Sequence, residues 1–265
     1  MMPEVVHRGW DGFPDRRGGA RRAAARAALA RLLWDEAGER RVPPAATLDR
    51  ALSPLPGGEL ERICEFNPFG PVYFIPTPPF LRALARRIRS RGARRVLEVA
   101  AGDGHLSRAL SVHAPDLRVV ASDSGKWEQP RARMNARERR EMRGKGVAGI
   151  RLGPEVTRLD VRAAVDRFQP DLVLACWLPP GPLLGRILRA SDRDVLEIGA
   201  GSGITGDISC WRYEHEFCDE LDALGRCRLD ERPSRKLHTR VTLYQGPRTA
   251  IALPGAPHRR TASEV

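Results

Sequence analysis

Short apolar runs and amphipathic segments alternate along most of this chain. From Arg95 onward each apolar run is followed by a segment with helical spacing, an alternation typical of a parallel α/β sheet. A helix around 215–224 and two closing strands then predict a terminal antiparallel hairpin, which completes a seven-stranded sheet. The predicted strands are 95–100, 117–123, 156–161, 170–178, 193–200, 226–230 and 237–245.

The segment before residue 80 has a different pattern and predicts a helical N-terminal extension. Residues 16–41 alternate arginine with alanine and leucine, which favours one or two amphipathic helices. Thr77 and Pro78 form a helix start, and Gly92 closes the helix that follows. A long Arg-rich helix is predicted around 130–143. The expected organisation is a helical cap over 1–80, a core domain over 81–250 and a flexible tail over 251–265.

Composition limits the class of protein only broadly. The chain has 265 residues, of which 42% are hydrophobic, enough for a packed core. It has no apolar stretch that could span a membrane and no signal-peptide core, so we expect a cytoplasmic protein. Five scattered cysteines argue against a disulfide framework and against a metal site. The net charge of +12 fits either solvated helix surfaces or a polyanionic partner.

A candidate nucleotide site follows the first predicted strand. The sequence VLEVAAGDGHL (96–106) runs from a buried strand through Gly102 and Gly104 into a helix, so a ligand can rest against bare backbone at the helix N-terminus. Glu98 is a carboxylate inside an apolar strand and needs a partner there, either a cationic ligand group or loop amides. Asp123 ends the second strand, where a carboxylate can accept both hydroxyls of a ribose.

The same region favours S-adenosylmethionine over a nicotinamide dinucleotide. Ser107 takes the place of the third glycine of dinucleotide sites, and Glu98 stands where such sites keep small apolar residues. Both departures favour a nucleoside without phosphates. Asp160 follows the third strand, where the edge of an adenine would lie, and Val161 is placed to pack on that ring.

Four sequences, VLEVAAGDGHL, VVASDS, RLDV and DLVLACW, resemble motifs I to IV of the class I S-adenosylmethionine-dependent methyltransferases, over roughly residues 76–245. The resemblance implies a Rossmann-like fold. It also implies that Glu98 and the glycines contact the methionine part, that Asp123 binds the ribose and that Asp160 reaches the adenine. The cofactor-binding residues expected from it are Glu98, Ala100, Gly102, Asp103, Gly104, Asp123, Ser124, Trp127, Asp160, Val161, Cys176 and Trp177.

A second glycine motif, VLEIGAGSGITGD (195–207), is on its face the better match. Too little chain follows it for another complete nucleotide-binding sheet. As the fifth strand it would also lie away from the first crossover. We therefore expect the first motif to carry the cofactor.

The methyl acceptor is expected beside CWLPPG (176–181), which leaves the fourth strand at the switch point of the sheet. This run keeps the Pro-Pro pair of some N-methyltransferases, but Leu178 and Gly181 replace its functional residues. It therefore gives little support to N-methylation. An aromatic strap before the core is a candidate lid, formed by Phe69, Tyr73 and Phe74. The candidate bases are His238 and Tyr73, followed by His105 and His215.

The sequence thus predicts a methyltransferase acting on a small molecule, with specialised-metabolite biosynthesis as its expected setting. A second hypothesis is methylation of RNA or a peptide, which the net charge and the basic run 131–145 support. A third is a cofactor-binding module without transferase activity. A dehydrogenase is the last alternative.

Overall fold

The computed structural model describes residues 20–65, 67, 69–126, 128, 149–200, 204–230 and 239–247. Within that part of the chain the helices are α1 (Ala20–Leu33), α2 (Ala45–Leu52), α3 (Glu59–Glu65), α4 (Pro78–Ser90), α5 (His105–His113), α6 (Val161–Phe168), α7 (Leu183–Ala190) and α8 (Asp219–Leu224). The strands are β1 (Arg95–Val99), β2 (Arg118–Asp123), β3 (Val156–Arg158), β4 (Leu172–Cys176), β5 (Asp194–Ala200), β6 (His215–Phe217) and β7 (Thr239–Tyr244).

These strands form one sheet in the order β3-β2-β1-β4-β5-β7-β6. The first five strands are parallel, and β7 runs antiparallel to both β5 and β6. The predicted fold class is confirmed: a mostly parallel, Rossmann-like sheet of seven strands with an antiparallel end. The chain leaves β1 for β2 on one side, while β4 lies on the other. A crevice therefore opens at the carboxyl ends of β1 and β4.

Helices cover both faces of the sheet. One core cluster joins α4, α5 and α8 to one face, and another joins α6 and α7 to the opposite face. The central strands β1 and β4 contribute side chains to both clusters, and Val96, Leu97 and Val173 are fully buried. Because both faces are covered, these strands read as continuous apolar runs, which is why their positions were predictable.

The N-terminal helices α1 to α3 form a third apolar cluster that includes Leu33, Leu48 and Ile75. An ion pair ties α1 to α3 at its edge: the Arg26 guanidinium donates to both carboxylate oxygens of Glu59, at 2.6 and 2.9 Å. Such a two-pronged contact fixes geometry as well as charge. No described helix is long and apolar enough to cross a lipid bilayer.

The prediction of the sixth strand was wrong. The strand that pairs with β7 is β6, whereas the chain at 226–230 makes a turn. There the Asp230 carboxylate accepts a hydrogen bond from the Cys227 amide at 2.9 Å, and Cys227 forms an isolated bridge with Phe74. The helix predicted from 215 accordingly begins only at Asp219.

The third strand is shorter than predicted because Asp160 turns the chain. Its side chain accepts a hydrogen bond from the Ala163 amide and caps α6, whose first residue is Val161. Several expectations fall outside the described residues: the Arg-rich helix, the centre of the second glycine motif and the C-terminal tail.

Candidate functional site

A cavity of about 1260 Å³ opens at the carboxyl ends of β1, β2 and β4. It gathers many of the residues predicted from the sequence, although they come from five separate parts of the chain. Gly104 is not among the lining residues, and Trp127 and His238 lie outside the described residues. The predicted residues that line the cavity are Tyr73, Glu98, Ala100, Gly102, Asp103, Asp123, Ser124, Asp160, Val161, Cys176 and Trp177.

The turn after β1 depends on left-handed backbone conformations. Ala100, Gly102 and Gly104 have φ angles of 54°, 57° and 69°. A Cβ on Gly104 would lie 2.7 Å from Val156 Cγ2, so the glycine turn packs directly on β3. Ala100 adopts a conformation that glycine adopts more easily. It stands at the position of the first glycine in motif I of the methyltransferases that the sequence resembles. The turn thus presents bare backbone to the cavity at the start of α5.

Glu98 is almost fully buried beneath this turn. Its Oε2 accepts hydrogen bonds from the Ser107 amide at 3.0 Å and from the Ser107 hydroxyl at 2.5 Å. Burial raises the pKa of Glu98 to about 8, although the Ser107 bonds oppose that rise. In the sequence, Ser107 is notable only because it replaces the third glycine of dinucleotide sites. In the structure it is the hydrogen-bond donor to Glu98.

Asp123 lies at the end of β2 and joins two turns. Its Oδ2 accepts from the Gly102 amide at 3.0 Å, and its Oδ1 accepts from the Gly125 amide at 2.7 Å. An ionised carboxylate has about four acceptor positions, so each oxygen can accept one more hydrogen bond. Asp123 therefore forms part of the cavity wall and can accept hydrogen bonds from two hydroxyl groups.

An arginine from the N-terminal extension reaches the glycine turn. Arg40 Nη1 lies 3.3 Å from Asp103 Oδ2, and its Nη2 donates to the Phe74 carbonyl at 3.0 Å. Its Nε is buried and has no hydrogen-bond partner in the part of the chain that the structure describes. No sequence motif predicts this contact, because Arg40 is one arginine among many and lies far from Asp103 along the chain.

The carboxyl end of β4 carries an unusual backbone conformation. Trp177 has a φ of 55°, which is rare for a bulky residue, and its amide donates to the Ile198 carbonyl at 2.6 Å. Strained residues of this kind cluster at functional sites. Burial raises the pKa of the adjacent Cys176 thiol well above its usual value, so this thiol stays protonated.

Of the candidate bases that the structure describes, two line the cavity and one does not. Tyr73 lines the cavity, and burial raises its pKa, partly opposed by the nearby Arg228. His105 also lines the cavity; burial, with the charges of Arg40 and Arg108, lowers its pKa to about 2. His215 lies on the edge strand β6 and is not among the cavity-lining residues.

In the described part of the second glycine motif, side chains of the motif itself occupy the space beside the glycines. The Thr205 hydroxyl accepts from the Ala200 amide at 2.7 Å, and a Cβ on Gly199 would collide with that same hydroxyl. A Cβ on Gly206 would collide with Glu197. Residues 201–203 are outside the described range.

No protein-family model and no curated protein matches this sequence. Among solved structures, the methyltransferase domain of a bacterial Hen1 protein aligns with 62% of this chain and 96% of its own, at 11% identity and a TM-score of 0.38. The mitomycin 7-O-methyltransferase MmcR aligns with 64% of this chain and 53% of its own, at 15% identity and a TM-score of 0.36. An rRNA methylase from Escherichia coli aligns with 84% and 74%, at 17% identity and a TM-score of 0.34. At these identities and TM-scores the likenesses assign neither an activity nor a substrate to this chain.

Proposed function

We propose that this protein is an S-adenosylmethionine-dependent methyltransferase that acts on a small molecule. The observation that carries the proposal is the position of Asp123. Its carboxylate ends β2, contacts the glycine turn after β1 and lies on the wall of a cavity with room for more than one ligand. Single-ligand pockets usually measure about 300–1,000 Å³, which the cavity exceeds.

The residues present fit the cofactor group by group. Asp123 has two acceptor positions for the ribose hydroxyls. Glu98 makes both of its hydrogen bonds through Oε2, so among the described contacts Oε1 is left for the cationic amino acid end. Leu159 and Val161 line the cavity on either side of Asp160 in the chain, where an adenine ring would lie, and Ile150 also lines it. When bound, the cofactor supplies an activated methyl group on a sulfonium.

The protein's own part in such a reaction is alignment and exclusion of water. Trp177 and Leu178 line the cavity at the end of β4, and the N-terminal segment contributes Trp34, Phe69 and Phe74 to its lining. These apolar groups would enclose a small acceptor. This enclosure by the N-terminal segment is what favours a small acceptor over a polymer.

Proton removal is needed only for acceptors that carry an exchangeable proton. The raised pKa of Tyr73 keeps its phenol neutral near pH 7, so Tyr73 suits a hydrogen bond to the acceptor better than a role as a strong base. The low pKa of His105 makes it a weak base. His238 is the remaining candidate base, and a role for it stays a prediction.

Calorimetry with S-adenosylhomocysteine tests the proposal. We expect wild-type protein to bind it and to bind NAD at least tenfold more weakly. Asp123→Ala should weaken S-adenosylhomocysteine binding at least tenfold, about 1.4 kcal/mol. Asp166→Ala removes an exposed carboxylate on α6 and should leave the affinity unchanged. Melting curves of both variants check the fold. Unchanged affinity in folded Asp123→Ala, or tighter binding of NAD, would contradict the proposal.

A further inference from the structure

Two half-buried arginines line the cavity and contact the same aromatic strap. Arg40 donates to the Phe74 carbonyl at 3.0 Å, and the Arg228 amide donates to the Tyr73 carbonyl, also at 3.0 Å. The Arg228 guanidinium lies over the Tyr73 ring, 4.9 Å from its centroid. The N-terminal and C-terminal parts of the chain thus each place a cation at the wall of the cavity.

The two arginines differ in how well their charges are balanced. Arg40 has the Asp103 carboxylate at 3.3 Å. For Arg228, the one ion pair within the described residues is with Glu65, whose oxygen lies 4.0 Å from Nη1, too far for a hydrogen bond. Its Nε, like that of Arg40, is buried and has no hydrogen-bond partner among the described residues, so in charge balance the two arginines differ only in the distance to their carboxylates. A largely buried cation with unmet donors is costly, and an anionic ligand would remove that cost.

The cofactor can satisfy only one of these two cations. Its methionyl part carries a single carboxylate, and Arg40 lies beside the glycine turn where that part is proposed to rest. Arg228 contacts the Tyr73 strap instead. An anion that meets the donors of Arg228 would therefore belong to the second ligand in the cavity.

We propose that Arg228, with Tyr73 beneath it, forms the subsite that binds a carboxylate group of the methyl acceptor. The inference rests on the proposed function and adds the chemical class of its acceptor, an organic acid. A guanidinium matches the two oxygens of a carboxylate with two parallel N–H donors, and a monoanion balances its single charge. Phe69 and Trp177 also line the cavity, and their apolar side chains suit the carbon skeleton of an aromatic acid.

Matched probes test this subsite in protein saturated with S-adenosylhomocysteine. Benzoate and benzamide have the same shape and differ in charge, while phenyl phosphate reports on a phosphate in place of the carboxylate. We expect benzoate to bind at least tenfold more tightly than benzamide and more tightly than phenyl phosphate, as measured by calorimetry or tryptophan fluorescence.

Variants then assign the preference to one side chain. Arg228→Gln should abolish the preference for benzoate over benzamide, and Arg228→Lys should retain part of it because the charge remains. Arg82→Gln removes an exposed arginine on α4 and should bind the probes like wild type. Should Arg228→Gln fail to fold, Arg228→Lys and the wild-type comparison of the two probes still decide the matter.

Several results would overturn the subsite: equal affinities for benzoate and benzamide, no binding of benzoate, a preference for phenyl phosphate, or a preference that survives in Arg228→Gln. Affinity for S-adenosylhomocysteine is measured separately in each protein. If the wild-type protein did not bind S-adenosylhomocysteine, the proposed function would be refuted. If it bound S-adenosylhomocysteine but showed no preference for benzoate over benzamide, only the proposed acceptor class would be refuted.

Discussion

At the scale of single residues, Glu98 shows how folding alters an ordinary carboxyl group. Its position in β1 removes it from water, and among the described residues only Ser107 donates hydrogen bonds to its carboxylate. Two hydrogen bonds to one oxygen do not replace the lost hydration, so the pKa rises to about 8. The nearby carboxylates Asp103 and Asp123 raise it further. Near neutral pH the free protein therefore holds a proton at the base of the candidate site.

This proton makes stability depend on pH in a definite direction. Because the folded pKa lies above the unfolded value, the stabilising contribution is complete below about pH 4.5 and is lost as pH rises through about 8. Glu98→Gln mimics the protonated form. We expect its melting temperature relative to wild type to rise by several degrees between pH 5 and pH 9, measured by thermal denaturation.

The exposed variant Asp166→Asn is the control and should show no comparable change with pH. A difference between Glu98→Gln and wild type that is the same at both pH values would contradict the raised pKa. Glu197 is also buried, with a pKa raised to about 7, so Glu197→Gln should show the same trend at lower pH.

At the scale of elements, burial decided which strands could be predicted. β1, β4 and β5 are buried on both faces, so their apolar runs identify them without any knowledge of their partners. β6 is a three-residue edge strand with a polar centre, and only its pairing with β7 makes it a strand. Local sequence carries no signal for such long-range pairing.

The same distinction applies to the site. The glycine turn and Asp123 could be predicted because they lie within short, recognisable motifs on consecutive strands. Arg40 and Arg228 reach the cavity through contacts between distant parts of the chain. Nothing in their local sequence separates them from the other arginines, so only the folded arrangement reveals them.

The junction of β1 and α5 gives a prediction at this scale. Gly104 and Gly92 have the same φ of 69°, but a Cβ on Gly104 would lie 2.7 Å from Val156 Cγ2, whereas a Cβ on Gly92 meets nothing within 4 Å. Gly92→Ala should cost about 1 kcal/mol from backbone strain alone. Gly104→Ala should cost about 1–3 kcal/mol more because β3 must move. Denaturant titration measures both values.

Equal costs for the two alanine variants would show that Gly104 is needed only for its conformation. A larger cost at Gly104, together with weaker binding of S-adenosylhomocysteine, would show that its packing on β3 holds the turn in shape. Gly92 lies at the far end of α4 from the cavity, so Gly92→Ala should not change that affinity.

At the scale of the whole molecule, the N-terminal helices and the sheet meet at the candidate site. Arg40 follows α1 and contacts Asp103 in the glycine turn, while Arg226 pairs with Asp49 at 3.3 Å on another part of the same boundary. A ligand that orders the turn should therefore also steady the N-terminal cluster. The N-terminal cluster and the glycine turn would then become more ordered together when a ligand binds.

Hydrogen exchange tests this coupling. Saturating S-adenosylhomocysteine should slow amide exchange in residues 29–75 of the wild type, and Arg40→Gln should lose most of that protection while Arg31→Gln, an exposed control, keeps it. Protection that is identical in wild type and Arg40→Gln would show that the N-terminal cluster and the turn respond independently.

The carboxylate of Asp123 has a further consequence for how fast a ligand binds. Its bonds to the Gly102 and Gly125 amides hold two turns together in the free protein. The conformational entropy of those turns has already been lost during folding, so a nucleoside arriving there meets a preorganised surface. Association should then be limited by diffusion and orientation, and differences in affinity among related nucleosides should appear mainly in how slowly they leave.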